Sequence, residues 1–340
     1  MNVELSYKRH QLPLTYPFAV ANSKKTHAEN VFVELKSEHA VGYGEAAPSY
    51  FFHESPETIE HFFNQIQPHL NHDPMQVDFI MAQSEKAVPG NYAAKAAINM
   101  ALFDLIGKKL SLPVYKFLGI KNDHPLLTSF TIGIDRLDVI EEKVMAAQKY
   151  PILKIKLGTP NDFQIIETIQ KMNNCRLRVD ANEGWTKEEA VEKINWLETQ
   201  NVEFVEQPLP AEDIENMKWI RARVNLPLFA DESLRTEKDI DKLTDAFDGI
   251  NIKLMKCGGI TEAMKMIKKA RQLNLKTMIG CFIESSLGIT AAAHIAPLFD
   301  YIDIDGALLI KTDPFRGVKF INGQFTLPDM PGLGVEPIVL

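Results

Sequence analysis

Apolar residues follow two rhythms along this chain, and the change of rhythm divides it near residue 120. Before that point, short alternating runs such as Val31-Phe32-Val33-Glu34-Leu35 lead into the turn-rich stretch from Val41 to Pro48, the pattern of a small antiparallel sheet. Helical spacing then predicts helices over about 56–69, 74–86 and 92–110. In the last of these, Ala94, Ala97, Ile98, Ala101, Leu102 and Leu105 keep one apolar stripe until Leu112-Pro113 breaks it. This first part reads as α+β.

From about residue 126 the pattern becomes strand, helix, strand, helix. The apolar runs predict strands at Leu127–Ile134, Ile152–Leu157, Leu177–Asp180, Phe204–Glu206, Leu228–Asp231, Gly249–Leu254, Thr277–Gly280 and Tyr301–Asp305. Amphipathic helices lie between most of them, with legible starts. Thr186 and Glu189 form a capping-box pattern, and Thr236 (before Asp239) and Thr261 are placed as N-caps. The residues nearest the strand ends, from Lys156 through Asp180, Glu206, Asp231, Lys256 and Gly280 to Asp305, are 24 to 26 positions apart. The residues differ, so this is a recurring βα unit rather than a sequence repeat. An eight-stranded parallel barrel requires that recurrence. An open doubly wound sheet also alternates β and α, but eight near-equal units without a Gly-rich dinucleotide turn favour closure.

The polar strand ends change the picture from fold to chemistry. Parallel strands are buried on both faces and ordinarily read as continuous apolar runs. Here most end in a charged residue, and in barrels those ends face one mouth. Asp180, Glu206 and Asp231 come from three successive strands, whose spacing of about 4.8 Å lets three carboxylates converge on one ion. Without a cation, such a group repels itself. Oxygen donors with no histidine among them favour Mg²⁺ or Mn²⁺ over zinc. The competing role, three carboxylates capping the following helices, fits any one of them better than all three in phase. Lys154 and Lys156 are two apart and share one side of their strand. Outward they meet the helix layer; inward they reach the mouth, with Lys256 well around the barrel. A metal between lysines suits removal of a weakly acidic proton beside a carboxylate, provided a lysine pKa is lowered by burial or a neighbouring cation. Asp303 and Asp305 obey the same two-residue logic on the last strand. They either hold a cationic substrate group or pair inward with a barrel lysine, for which Lys253 is the candidate.

Composition narrows the class without identifying it. The chain has 340 residues, 45% hydrophobic content and a formal charge of −8. That is enough for a sizeable core, and it argues against nucleic acid or an anionic membrane surface as partner. Cys175, Cys257 and Cys281 are scattered, so no disulfide framework or zinc site is signalled. The first ten residues lack an apolar signal-peptide core, and no apolar run approaches the roughly 20 residues of a membrane span. These features predict a cytoplasmic protein and leave room for a homo-oligomer.

Lys154-Ile155-Lys156, Asp180-Ala181-Asn182 with Trp185, Glu206-Gln207-Pro208, Asp231-Glu232-Ser233, and the run from Asn251 through Lys253 and Lys256 to Gly259 resemble the enolase superfamily, muconate-lactonizing subgroup. The resemblance spans nearly the whole chain. It implies an α/β fold: a modified (β/α)₇β TIM-like barrel over 123–314, with an α+β N-terminal capping domain over 1–122 completed by a C-terminal tail, 315–340. The superfamily is known for a Lys or His base acting with Mg²⁺, so that mechanism arrives with the resemblance. It implies one Mg²⁺ on Asp180, Glu206 and Asp231, Lys156 and Lys256 as acid/base catalysts on opposite faces, and Lys154 stabilising the enolate.

Asp303-Ile304-Asp305 looks like the dipeptide epimerases, where such a pair holds the substrate's α-ammonium group. The implied activity is inversion of the C-terminal residue's α-carbon, typically on L-Ala-D/L-Glu in recycling of cell-wall peptides. Cycloisomerase, o-succinylbenzoate synthase and N-acylamino-acid racemase chemistries are the alternatives within the subgroup. A non-catalytic or a phosphate-binding barrel is the alternative outside it. Family specificity is read partly by two capping loops, here about 18–28 and 47–55. Where well-known Ala-Glu epimerases carry an arginine, this chain has Ser23, followed by Lys24 and Lys25, which implies a point charge in place of a bidentate one. Glu284 is either a further pocket residue or a cap for the helix beginning near Ser285.

Overall fold

The computed structural model describes residues 3–38, 40–70 and 72–338. Strands β1 (Glu4–Val20), β2 (Ser23–Lys36) and β3 (Val41–Ala46) form an antiparallel sheet in that order. Period two decides its buried face: Val31, Val33 and Leu35 on β2 are inaccessible, while Phe32 and Glu34 between them are not. Helices α1 (Pro56–Ile66), α2 (Val77–Ala87) and α3 (Tyr92–Leu110) follow. The helix expected over 56–69 changes to a 3₁₀ turn after Ile66, and that expected from 74 begins at Val77.

α3 is the joint between sheet and barrel. Its residues Ala93 to Gly107 are all buried, as befits a helix apolar nearly all round. Alanines permit close approach on the sheet side: a Cβ on Gly44 of β3 would lie 1.9 Å from the Ala97 carbonyl oxygen. On the barrel side a Cβ on Gly259 would lie 2.5 Å from Asn99 Oδ1, so glycine is required at both contacts.

Eight strands follow one another in a single parallel sheet, each hydrogen-bonded to the next in the chain. In order they are Phe130–Ile132, Ile152–Lys156, Arg176–Asp180, Val202–Glu206, Leu228–Ala230, Gly249–Lys253, Lys276–Gly280 and Tyr301–Asp303. The first is shorter than the 127–134 expected. Leu126–Leu127 instead pairs with Gln324–Phe325 of the C-terminal segment. Leu254, expected to end the sixth strand, opens a helical turn, Leu254–Cys257, which carries Lys256.

The first and eighth strands are joined by side chains. Thr128 Oγ1 accepts from Ile304 N at 2.8 Å, Ser129 Oγ donates to Asp303 at 2.5 Å, and Asp305 accepts from Thr131 N at 2.6 Å. Inside the barrel Phe204, Phe229 and Tyr301 pack against one another in tilted and edge-to-face contacts, and the buried Arg178 guanidinium lies over Phe204 and Tyr301.

Helix starts follow the expected chemistry with one exception. Thr186 and Glu189 make a reciprocal capping box, as do Thr236 and Asp239. Thr261 does not cap: the N-cap is Gly259, and Thr261 is the second residue of the helix, held by Asn99. The C-terminal segment returns to the N-terminal elements. Phe315 packs on Phe32 and Tyr43, and Leu333 N donates to Asp104 on α3 at 2.8 Å.

Candidate active site

The inward alternation of the strands brings the charged strand ends together. Lys154 and Lys156 share one face of the second strand, and Asn251 and Lys253 share one face of the sixth by the same rule. Asp180, Glu206 and Asp231 each offer an oxygen within 4.8 Å of the others, and all three are buried. Lys154 Nζ stands 2.7 Å from Asp303, 2.7 Å from Glu206 and 3.2 Å from Asp180. Lys156 Nζ donates to Asp180 at 2.6 Å. Across the mouth, Lys253 Nζ lies 2.7 Å from Asp231, and Lys256 Nζ lies 2.5 Å from its other oxygen. Lys253 is therefore the partner of Asp231; of the two roles left open for the Asp303 and Asp305 pair, inward pairing with a barrel lysine does occur at Asp303, but the lysine is Lys154 and not the candidate Lys253.

Burial and charge set the protonation states in opposite directions. Burial pushes Glu206 up to about 7, with Asp180 adding to the shift. Asp231 is also desolvated, yet Lys253 and Lys256 hold it well below the usual carboxylate range. Burial works against the Lys154 ammonium, and the surrounding Asp303, Glu206 and Asp180 overcome it, so Lys154 stays charged. Lys256 goes the other way: burial lowers its pKa despite Asp231, the direction a lysine base needs. Asp303, buried but beside Lys154, falls to about 2, while burial and Asp303 raise Asp305 to about 7. A pair of adjacent carboxylates split in this way accepts a cation readily.

The three carboxylates fit a hard divalent ion. Their donors are all oxygen, and Glu206 Oε2 has no hydrogen-bond donor aligned on it although the Lys154 ammonium is near. The shell around them was not assigned from sequence. Asn251 Nδ2 donates to Glu206 at 2.7 Å, and Gln207 Oε1 accepts from the backbone of Asp231 at 3.0 Å and Ser233 at 3.2 Å. Gln207, Asn182 and Glu183 have φ of 39°, 41° and 64°, left-handed backbone in the two loops that leave the metal-facing strands. Such strain collects at functional sites. The i, i+2 rule already used for Lys154 and Lys156 would have found Asn251 from Lys253. Nothing local signals Gln207.

A cavity of about 660 Å³ opens above these groups. Lys154, Lys156, Lys256, Asp231, Asp303 and Asp305 line its floor, and Ser23, Lys24 and Lys25 line its rim. The first rim segment, expected as a loop over 18–28, is a hairpin end paired as Phe18 with Lys25 and Val20 with Ser23. It is pinned to the barrel where Ala19 O accepts from Ile134 N at 2.9 Å. The second contributes a 3₁₀ turn, Tyr50–Phe52. Glu284 does neither of the things expected. Cys281, Phe282 and Ile283 line the cavity but Glu284 does not. The helix Ser286–Ile295 is capped by Ser285 and by Glu45 of β3, which accepts from Ser285 N and Gly288 N at 2.9 Å. Glu284 folds back to accept from Phe282 N at 2.8 Å, and burial with Glu45 nearby raises it to about 8.

Residues 138–338 match the family described as enolase C-terminal domain-like, and residues 2–119 match the mandelate racemase / muconate lactonizing enzyme N-terminal domain. An L-Ala-D/L-Glu epimerase of Bacteroides thetaiotaomicron is 40% identical over 99% of this chain and 88% of its own. Among solved structures, a dipeptide epimerase of Cytophaga hutchinsonii, complexed with Mg and D-Ala-L-Val, superposes with a TM-score of 0.95 at 31% identity, covering 99% of this chain and 96% of that one. The substrate-liganded L-Ala-D/L-Glu epimerase of Bacillus subtilis does so with a TM-score of 0.95 at 33% identity over the full length of both.

Proposed function

The chain belongs to the mandelate racemase / muconate lactonizing family of the enolase superfamily, and from that premise we propose that it is a Mg²⁺-dependent dipeptide epimerase, inverting the α-carbon of the C-terminal residue by proton transfer between two lysines. One observation carries the reading. Lys156 on the second strand and Lys256 after the sixth stand on opposite sides of an eight-stranded mouth, with the carboxylate triad between them and the Asp303–Asp305 pair facing the same cavity.

Asp180, Glu206 and Asp231 hold the ion, which supplies Lewis-acid stabilisation of the charge that develops on the substrate carboxylate. Lys154, kept charged by its three carboxylate neighbours, adds a fixed cation beside that site. Lys256, whose pKa burial lowers, takes or returns the α-proton on one face, and Lys156 does so on the other. Asp303 and Asp305 bind the α-ammonium group, and Ser23 and Lys24 face the side chains. A buried carboxylate pair fits the ammonium that a dipeptide carries and an N-acylamino acid lacks, and it repels the second carboxylate of a dicarboxylate, which disfavours the racemase and cycloisomerase chemistries of related enzymes. Residues 1–122 with 315–340 form the cap and 123–314 the barrel. Support for that division comes from the contacts of Phe315 and Leu333 with β2, β3 and α3. Among the described residues no helix is long and apolar enough to cross a membrane, and the proposed setting is the cytoplasm, on peptides released from the cell wall.

Incubation with a broad dipeptide panel in D₂O tests the activity. Deuterium should enter the α-position of the C-terminal residue of at least one dipeptide as its epimer accumulates. No exchange on any member would overturn the proposal.

A further inference from the structure

The turn after β3 is short, aromatic and partly exposed, yet it is held from the barrel by one side chain that never reaches the cavity. Phe51 and Phe52 line the cavity and meet edge to face at 5.0 Å. The turn closes on itself, Ser49 O accepting from Phe52 N at 3.0 Å and from Glu54 N at 3.1 Å, with His53 in left-handed backbone at φ 58°. Such a turn has little core of its own: Phe51 is 46% exposed.

Its anchor is Arg235, four residues beyond Asp231. The guanidinium carbon lies 4.5 Å from the centroid of Phe52 and 4.4 Å from that of Tyr92, in contact with both rings. Nη2 donates to Glu54 at 2.6 Å. Glu54 in turn accepts from Tyr92 N at 2.7 Å and Ala93 N at 3.2 Å, capping α3 where Asn91 offers no side-chain cap. The backbone of Arg235 is fixed as well, its N–H donating to Asp239 at 3.1 Å. Contact with two rings and a simultaneous ion pair suit the broad, flat guanidinium in a way the compact ammonium of lysine does not match.

We infer that Arg235 is a positioning residue for substrate recognition: it couples the barrel loop after Asp231 to the aromatic turn 49–54 and so sets where Phe51 and Phe52 stand against the substrate's side chains. The inference rests on the dipeptide reading for its kinetic arm only. Arg235 does not line the cavity, so its loss acts through the turn and spares the lysines.

The test uses the full-length Mg²⁺-loaded protein with R235A, R235K, F52A and the double variant. Backbone amide hydrogen exchange is measured first, without substrate. R235A should speed exchange about tenfold or more across residues 49–54 and the first turn of α3, with the barrel strands unchanged and R235K failing to restore protection. Unchanged protection at the turn would overturn the inference, whether or not any dipeptide is turned over. The kinetic arm uses the best dipeptide of the panel. KM should rise about tenfold in R235A with kcat within about threefold of wild type, and F52A should add little on top of R235A because both act through one turn. A wild-type KM in R235A, a loss confined to kcat, or full additivity with F52A would each overturn it. Failure of wild type to epimerise any dipeptide would instead remove the parent reading and leave the exchange result to decide this one.

Discussion

The floor and the rim of the cavity are built on different principles. On the floor, each of the charged groups Lys154, Lys156, Lys253, Lys256, Asp180, Glu206 and Asp231 has an opposite charge within 3.2 Å, and all are buried. All but Asp231 and Lys256 project from strands whose ladders fix their spacing; Asp231 follows the fifth strand directly and Lys256 sits on the helical turn after the sixth. On the rim, Ser23, Lys24 and Lys25 sit exposed at the end of a hairpin, and among the described residues neither lysine makes an ion pair within 4.0 Å. The floor is pre-organised, and its desolvated charges act strongly on one another and on a substrate. The rim lysines have no such partner, although burial lowers the pKa of Lys25. The proposed chemistry thus sits on buried, paired charges and the proposed selectivity on exposed ones.

That contrast breaks most sharply at the two lysines. Lys156→Ala or Lys256→Ala should lower epimerisation about 10²–10⁴-fold, the scale of a positioned acid or base. Each variant should keep α-proton exchange on one substrate epimer, the one whose proton faces the surviving lysine. NMR of each epimer in D₂O checks this, and exchange of both epimers by either variant would refute the two-sided arrangement. Chelation comes next. EDTA should reduce turnover about a hundredfold or more, with recovery on added Mg²⁺. The melting temperature should move by no more than about 5 °C, because lysines already pair with the carboxylates and the ion is not needed to hold the floor together. Collapse of the fold on chelation would mean that the floor is not self-sufficient.

The two regions also differ in how far they could be read from sequence. Lys156, Asp180, Glu206, Asp231 and Asp305 were legible because a strand period near 25 residues and a side-chain period of two together specify direction without any contact being known. Lys253 shows the limit: its inward face followed from the alternation, but its partner did not, since pairing with Asp231 rather than Asp303 depends on how adjacent strands stagger. Closure of the barrel through Thr128, Ser129 and Thr131 was invisible for a similar reason, as hydroxyls carry no periodic signal. Glu284 was misread because the helix after it is capped by Glu45, some 240 residues away in sequence, leaving Glu284 with no cap to make. The hairpin at 18–28 looked like a loop because its pairing and its hold on Ile134 are tertiary.

Glu45 and Glu284 sit buried where β3 of the N-terminal sheet meets the helix after the seventh barrel strand. A Cβ on Gly288 would lie 2.5 Å from one Glu284 oxygen and 3.0 Å from one of Glu45, so the two carboxyls are close neighbours. Glu284 is raised to about 8 from 4.5 by burial and by Glu45. The folded state therefore holds a proton that the unfolded chain has released. Its contribution is full below about pH 4.5 and is lost as pH rises through about 8. Glu284→Gln mimics the protonated form and keeps the acceptor for Phe282 N. The variant should match wild type near pH 5 and exceed it by about 1–4 kcal/mol near pH 9. Urea midpoints at both pH values measure this, and parallel decline of the two proteins would remove Glu284 as the source.

The smallest effect should come from the rim, and its salt dependence distinguishes it from the floor. Lys24→Ala should lower kcat/KM for a dipeptide with an acidic side chain about two- to fivefold, in keeping with a single solvated charge contact. Substrates with apolar side chains should scarcely respond. The loss should shrink further between 0.05 and 0.5 M salt, roughly, because exposed charges beyond a Debye length are screened. The effect of Lys156→Ala should not change with salt, since its charge is buried against Asp180. Equal salt sensitivity at Lys24 and Lys156 would show that rim and floor share one electrostatic environment, and the division of labour between them would fail.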